Sequence, residues 1–178
     1  MRLARLLLAG VLLLGGAASA TAADPQLVFL VRHAEKAAVS AAAPGAPAAP
    51  MTAPGDDPPL SAAGHERAAR LATMLRSAGI RHIFSSEFLR TRQTAAPTAQ
   101  ARHLETMAVD AKDPDALIAQ LGQTKGHVLI VGHSNSVPAL LRRLGIKDEI
   151  AISETEYDNL FIVVRPETGE PSLVRLRY

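Results

Sequence analysis

Leu27-Val28-Phe29-Leu30-Val31-Arg32-His33 and, much later in the chain, His127-Val128-Leu129-Ile130-Val131-Gly132-His133 share one pattern. Each is an unbroken apolar, partly β-branched run that ends at a histidine. An amphipathic strand with one wet face would alternate, so a continuous run implies a strand covered on both faces. Between and beyond these two runs the period changes repeatedly. Ser61 can cap a helix whose apolar face is Ala68, Leu71, Ala72 and Leu75, ending before Gly79. Ile80 to Ser85 reads as a strand, Thr91 to Ala101 as a helix, Leu104 to Val109 as a strand, and Asp115 to Gly122 as a short helix. Val137 to Leu144 has helical spacing with Pro138 in its first turn. Leu160 to Val164 and Leu173 to Leu176 read as strands joined around Glu167-Thr168-Gly169-Glu170. Strands alternating with helices predict a three-layer α/β sandwich, with a largely parallel central sheet flanked by helices.

The chain has 178 residues, of which 48% are hydrophobic and 20% charged, which suits one folded domain and excludes a disordered polyelectrolyte. With no cysteine, disulfides, thiolate catalysis and Cys-ligated zinc are excluded. Four Phe and no Trp leave no aromatic platform for stacking bases. Arg2 and Arg5 precede the apolar run Leu6 to Leu14, followed by the small residues Ala18-Ser19-Ala20-Thr21-Ala22. This pattern reads as a secretory leader, residues 1–22, cleaved after Ala20 or Ala22. An uncleaved anchor is the alternative, although the run falls short of the roughly 20 residues a span needs. Removing the leader takes away two arginines and no acid, so the net charge of +2 falls to zero for residues 23–178. A neutral domain without a Lys/Arg cluster is not expected to bind nucleic acid. A periplasmic or secreted location follows, with no stable membrane insertion after cleavage and no indication of oligomeric state. Residues 37–59 form an Ala/Pro/Gly stretch without apolar period, read as a mobile loop whose polar side chains include Asp56 and Asp57.

In open α/β sheets ligands bind at the carboxyl ends of strands, which is where His33 and His133 lie. Arg32 adjoins the first. Arg90, in Ser85-Ser86-Glu87-Phe88-Leu89-Arg90-Thr91-Arg92-Gln93-Thr94, sits near a helix start, where backbone N–H groups favour anions. Guanidinium forks match phosphate oxygens, and an imidazole can attack phosphorus and carry the transferred group. These residues form equipment for phosphoryl transfer without a metal. No His-x-His or His-x-x-x-His pair accompanies them, and nearby arginines repel cations, so no metal or other cofactor is expected. His65, His82, His103 and His127 read as surface or helix-flanking residues.

Four segments in order, Val31-Arg32-His33-Ala34-Glu35, Pro58-Pro59-Leu60-Ser61-x-x-Gly64, Ser85-Ser86-x-x-x-Arg90-Thr91-x-Gln93-Thr94 and Val131-Gly132-His133, resemble the signatures of the histidine phosphatase superfamily, also called phosphoglycerate-mutase-like. The similarity is to short bacterial members without a large cap domain, and makes residues 23–178 the histidine phosphatase domain. It implies that His33 is the nucleophile phosphorylated in turnover. Arg32, Arg90 and His133 would then surround and bind the phosphoryl group. Ala34 stands where the family usually has Gly, and Ser134-Asn135 follow His133 where some relatives have Asp.

The proton donor to the leaving group is less clear. Asp110, at a strand end, is the first candidate, with Glu87 and Asp113 as alternatives. A stable leaving group, as in an acyl phosphate, a phosphohistidine or an aryl phosphate, needs an acid least. Thr155-Glu156-Tyr157-Asp158-Asn159 reads as a turn with a packed Tyr157, the pocket rim being the other reading. The expected activity is a metal-independent phosphomonoesterase of histidine acid phosphatase type, acting on a small phosphorylated substrate. A phosphomutase and a non-catalytic binder of phosphorylated ligands are the alternatives.

Overall fold

The computed structural model describes residues 24–38 and 57–178. The leader and most of the 37–59 stretch, Asp56 included, lie outside the described residues.

Six strands form one sheet, in the spatial order β3-β2-β4-β1-β5-β6. They are β1 (Gln26–Arg32), β2 (Ile80–Ser86), β3 (Thr106–Val109), β4 (His127–Gly132), β5 (Asn159–Arg165) and β6 (Ser172–Arg177). The first four run parallel, whereas β5 pairs antiparallel with β1 and β6 antiparallel with β5. The sheet is therefore mixed, with a parallel centre, as the alternating pattern predicts. The helices are α1 (Ala62–Leu75), α2 (Leu89–Arg102), α3 (Pro114–Gln123) and α4 (Ser136–Arg143).

Burial explains the continuous apolar runs. Phe29 and Val31 of β1, with Leu129 and Val131 of β4, pack against Leu71 and Leu75 of α1 and Ala95 of α2. Their sequence neighbours Val28, Leu30, Val128 and Ile130 face the opposite side, against Leu117 and Leu121 of α3 and Val137, Leu140 and Leu141 of α4. Successive side chains of a strand point to opposite faces, so a strand between two helix layers has no position left for a polar residue. β6 has one neighbour and is largely exposed, and its Val174 and Leu176 reach solvent.

The chain leaving β1 is tied to α1. Ser61 caps that helix by accepting from the Gly64 N–H (3.1 Å), and its own N–H donates to the Glu35 carbonyl (2.8 Å). Gly64 lies so close to this segment that a Cβ there would overlap the Glu35 carbonyl oxygen. Ala34 is fully buried with Leu60 and Ala68, so its methyl group contributes to the same contact. It does not have positive φ: among the described non-glycine residues only His103 does, where it ends α2. The alanine is thus accommodated without backbone strain at the position where the family usually has Gly. Glu35 points away from the strand end, its carboxylate held by both Nε and Nη2 of Arg67 (2.7–3.0 Å).

Gly64→Ala is expected to cost about 1–3 kcal/mol through overpacking. The predicted readout is a fall in thermal melting temperature together with loss of activity, since the displaced backbone adjoins His33.

Candidate active site

Parallel pairing of β1 with β4 aligns Arg32 with Gly132, and the His33 N–H donates to the Gly132 carbonyl (2.8 Å). The two strand-end histidines therefore emerge side by side, ring centroids 5.3 Å apart in an edge-to-face arrangement. β2 adds Ser86, whose hydroxyl lies 2.8 Å from His133 Nε2 and 2.8 Å from the Thr91 hydroxyl. His133 is fixed from its backbone as well, where its N–H donates to Ser136 Oγ at the start of α4 (2.8 Å).

His33 is 4% exposed, and its Nδ1–H donates to its neighbour's carbonyl, Ala34 O (2.7 Å). That bond fixes the tautomer and leaves Nε2 without a proton. The Ala34 N–H in turn donates to Thr94 Oγ1 (3.0 Å), whose hydroxyl donates to the Arg90 carbonyl (2.8 Å). Thr94 thus ties the nucleophile's loop to α2. Arg90 lies in the first turn of that helix, its guanidinium 4.3 Å from the centre of the Phe88 ring. The anion expected at this helix start is the carboxylate of Asp57, which accepts from the Leu89 N–H (2.8 Å) and from Arg90 Nη1 (3.4 Å).

Arg32, His33, Arg90 and His133 line one cavity of about 490 Å³, with Lys36, Phe88, Ala111, Lys112, Ser134, Asn135 and Glu154 on the remaining walls. A somewhat larger cavity, about 560 Å³, lies at the amino end of the parallel strands around Gln26, Lys125 and Arg165, away from both histidines. Asp110 and Glu87 do not line the site cavity. Asp110 Oδ1 accepts from the Lys112 N–H (2.8 Å), and Glu87 Oε2 from the Ala111 N–H (3.0 Å). Asp113 caps α3. Among the described residues no three His, Asp or Glu side chains converge as a metal site.

Two site residues come from the irregular segment before β5. Glu154 accepts from Arg32 Nη2 (2.8 Å) and from Ser134 Oγ (2.6 Å). Tyr157 packs its ring 4.2 Å from the Arg32 guanidinium and 6.1 Å from the His33 ring. Tyr157 is thus both packed and at the site. Sequence reasoning missed Glu154, which no motif or period marks.

Burial, opposed by the Ala34 hydrogen bond and aided by the nearby His133, Arg32 and Arg90, lowers the His33 pKa to about 4. His133 falls to about 4 for the same first reason, with Arg90 next and Glu87 pulling the other way. Both rings are therefore neutral at neutral pH. A folded pKa below the unfolded value of 6.5 means that protonation opposes folding, so their contribution to stability is full above about 6.5 and is lost as pH falls toward 4.

Residues 28–112 match the histidine phosphatase superfamily (branch 1). The fold agrees with solved phosphatases. The protein histidine phosphatase SixA in complex with tungstate aligns at 19% identity, over 85% of this chain and 97% of that one, with a TM-score of 0.63. The alpha-ribazole phosphatase of Shigella flexneri aligns at 17% identity over 86% and 96%, TM-score 0.64. The phosphoserine phosphatase of Entamoeba histolytica, in complex with 3-phosphoglyceric acid, aligns at 14% over 86% and 97%, TM-score 0.59. No curated protein sequence gives a significant match. The α/β layers and strand-end site define a phosphoglycerate-mutase-like fold, and with the sequence match the chain belongs to the histidine phosphatase superfamily. Its general kind is accordingly that of the phosphatases and mutases.

NMR titration of the ring resonances is expected to show both His33 and His133 neutral down to about pH 5, with midpoints near 4. A midpoint near 6.5 for either would contradict the burial described here.

Proposed function

We propose that the protein is a metal-independent phosphomonoesterase that works through a phosphohistidine on His33. The observation that carries the reading is the Nδ1–H bond to Ala34 O (2.7 Å), which leaves Nε2 as the unprotonated nitrogen of a cavity-lining imidazole. A lone pair held ready between two guanidiniums is what attack on a phosphoryl group requires.

In the first half-reaction Nε2 attacks phosphorus, the N–P bond forms, and the P–O ester bond breaks with its electron pair leaving on oxygen. In the second, water attacks phosphorus, the N–P bond breaks, and its pair returns to Nε2 as inorganic phosphate forms. Arg32 and Arg90 neutralise the equatorial oxygens through both steps, and His133, oriented by Ser86, adds a hydrogen bond. Metal ions have no part in this scheme. Residues 1–22 read as a cleaved leader, which would place the enzyme in the periplasm or outside the cell.

The favoured substrates carry leaving groups that are stable without an added proton, because neither Asp110 nor Glu87 lines the cavity. Phosphohistidine belongs to that class, consistent with the likeness to SixA.

Wild-type protein turning over a ³²P-labelled aryl phosphate, quenched in alkaline denaturant, should retain acid-labile, base-stable label. His33→Ala should lose the label and roughly 10³-fold or more in rate, and EDTA should change neither result for the wild type. Full turnover with no trapped phosphohistidine would rule the mechanism out. Asp110→Asn is expected to change hydrolysis of alkyl and nitrophenyl phosphates alike and only slightly. A selective loss of about 10²-fold on the alkyl ester would instead make Asp110 the general acid.

A further inference from the structure

Arg32 is assigned to the phosphoryl group, yet its side chain is only 2% exposed. Its Nη1 is occupied by the carbonyls of Ser153 (2.7 Å) and Glu156 (3.1 Å), and the Tyr157 ring packs against the guanidinium at 4.2 Å. Nη2 donates to Glu154 Oε2 (2.8 Å), while the buried Nε has no hydrogen-bond partner. The Nε/Nη2 edge is a fork that two phosphoryl oxygens can take together. In this structure one tine holds a carboxylate and the other is unsatisfied.

The carboxylate is built differently from the guanidinium it covers. The Glu154 side chain is 79% exposed, on an irregular segment between α4 and β5, and its other oxygen rests on Ser134 Oγ (2.6 Å). Moving it breaks two surface-side contacts and leaves Arg32 held by Ser153, Glu156 and Tyr157. Lys36, another cavity-lining residue, is near enough to act on the Glu154 charge and can receive it.

We propose that Glu154 is a displaceable internal anion that occupies the Arg32 seat of the phosphoryl group, so that every phosphorylated ligand binds by expelling it from Nη2. The inference rests on the phosphatase reading, in which Arg32 binds phosphate. A tethered competitor acts at high effective concentration, and two anions sharing one seat repel. Free phosphate, which brings no other contacts, bears that cost in full, whereas an ester offsets it through contacts made by its leaving group. Glu154 thereby sets specificity against small oxyanions and favours product release.

If Glu154 merely propped Arg32 in place, removing it would weaken anion binding, so the sign of the effect decides. The experiment measures inhibition of p-nitrophenyl phosphate hydrolysis by inorganic phosphate and by tungstate, in wild type, Glu154→Gln and Ser134→Ala, with melting temperatures as a fold check. Glu154→Gln should tighten both inhibitors by about 10-fold, the scale of one unscreened charge at close range, and Ser134→Ala should shift them the same way by less. Unchanged or weaker inhibition in Glu154→Gln overturns the proposal while leaving the phosphatase reading intact. A folded wild type that neither hydrolyses the ester nor binds the oxyanions overturns both.

Discussion

The hydrogen bond from the His33 N–H to the Gly132 carbonyl (2.8 Å) marks the constraint on which the rest of the molecule depends, the parallel register of β1 on β4. Slipping one strand by a residue would exchange its two faces and separate Arg32-His33 from Gly132-His133. Apolarity alone does not hold that register, since both faces of both strands are hydrophobic. Shape does. A Cβ on Gly132 would lie 2.7 Å from Ser136 Oγ, so only glycine lets α4 begin this close to the strand, and Ser136 in turn accepts from the His133 N–H (2.8 Å). Pairing, helix start and ring position are fixed together.

The site shows how a buried cationic cluster is tolerated. Each guanidinium has a carboxylate of its own, Glu154 for Arg32 and Asp57 for Arg90, and the two imidazoles remain neutral because burial and the arginines disfavour their charged forms. Burying a charge is costly unless it is paired. The pairing differs in kind between the two arginines. Asp57 also receives the Leu89 N–H, so it serves the helix start as well as the side chain. Glu154 contacts only side chains, Arg32 and Ser134.

The sequence displayed the parts of the site that lie on regular elements. His33 and His133 stand at the ends of unbroken apolar runs, and Arg90 in the first turn of a helix, so strand composition and helix position locate all three. The mixed sheet was legible only in part, because pairing direction leaves no trace in the apolar pattern of β5, while the hairpin turn at Glu167–Glu170 reveals only that β5 and β6 oppose each other. Glu154 and Tyr157 were harder to place. They arrive from an irregular segment whose position is set by where α4 ends and β5 begins, and their side chains reach Arg32 across more than a hundred residues of sequence. Asp110 shows the converse: a carboxylate at a strand end whose own turn claims it, through the Lys112 N–H.

The segment after the nucleophile leaves and rejoins the fold at a single point. Lys36 and Leu60 form an isolated antiparallel bridge, and the Ala37 N–H donates to the Pro59 carbonyl (2.8 Å). Closing a loop grows costlier only with the logarithm of its length, about 0.6 kcal/mol per doubling. With both ends stapled beside the catalytic cavity, the intervening chain is a cassette: it can be lengthened, shortened or exchanged while the sheet and the histidine pair stay as they are. New recognition elements could therefore be grafted at the mouth of this pocket, making it a natural place for members of such a family to diverge.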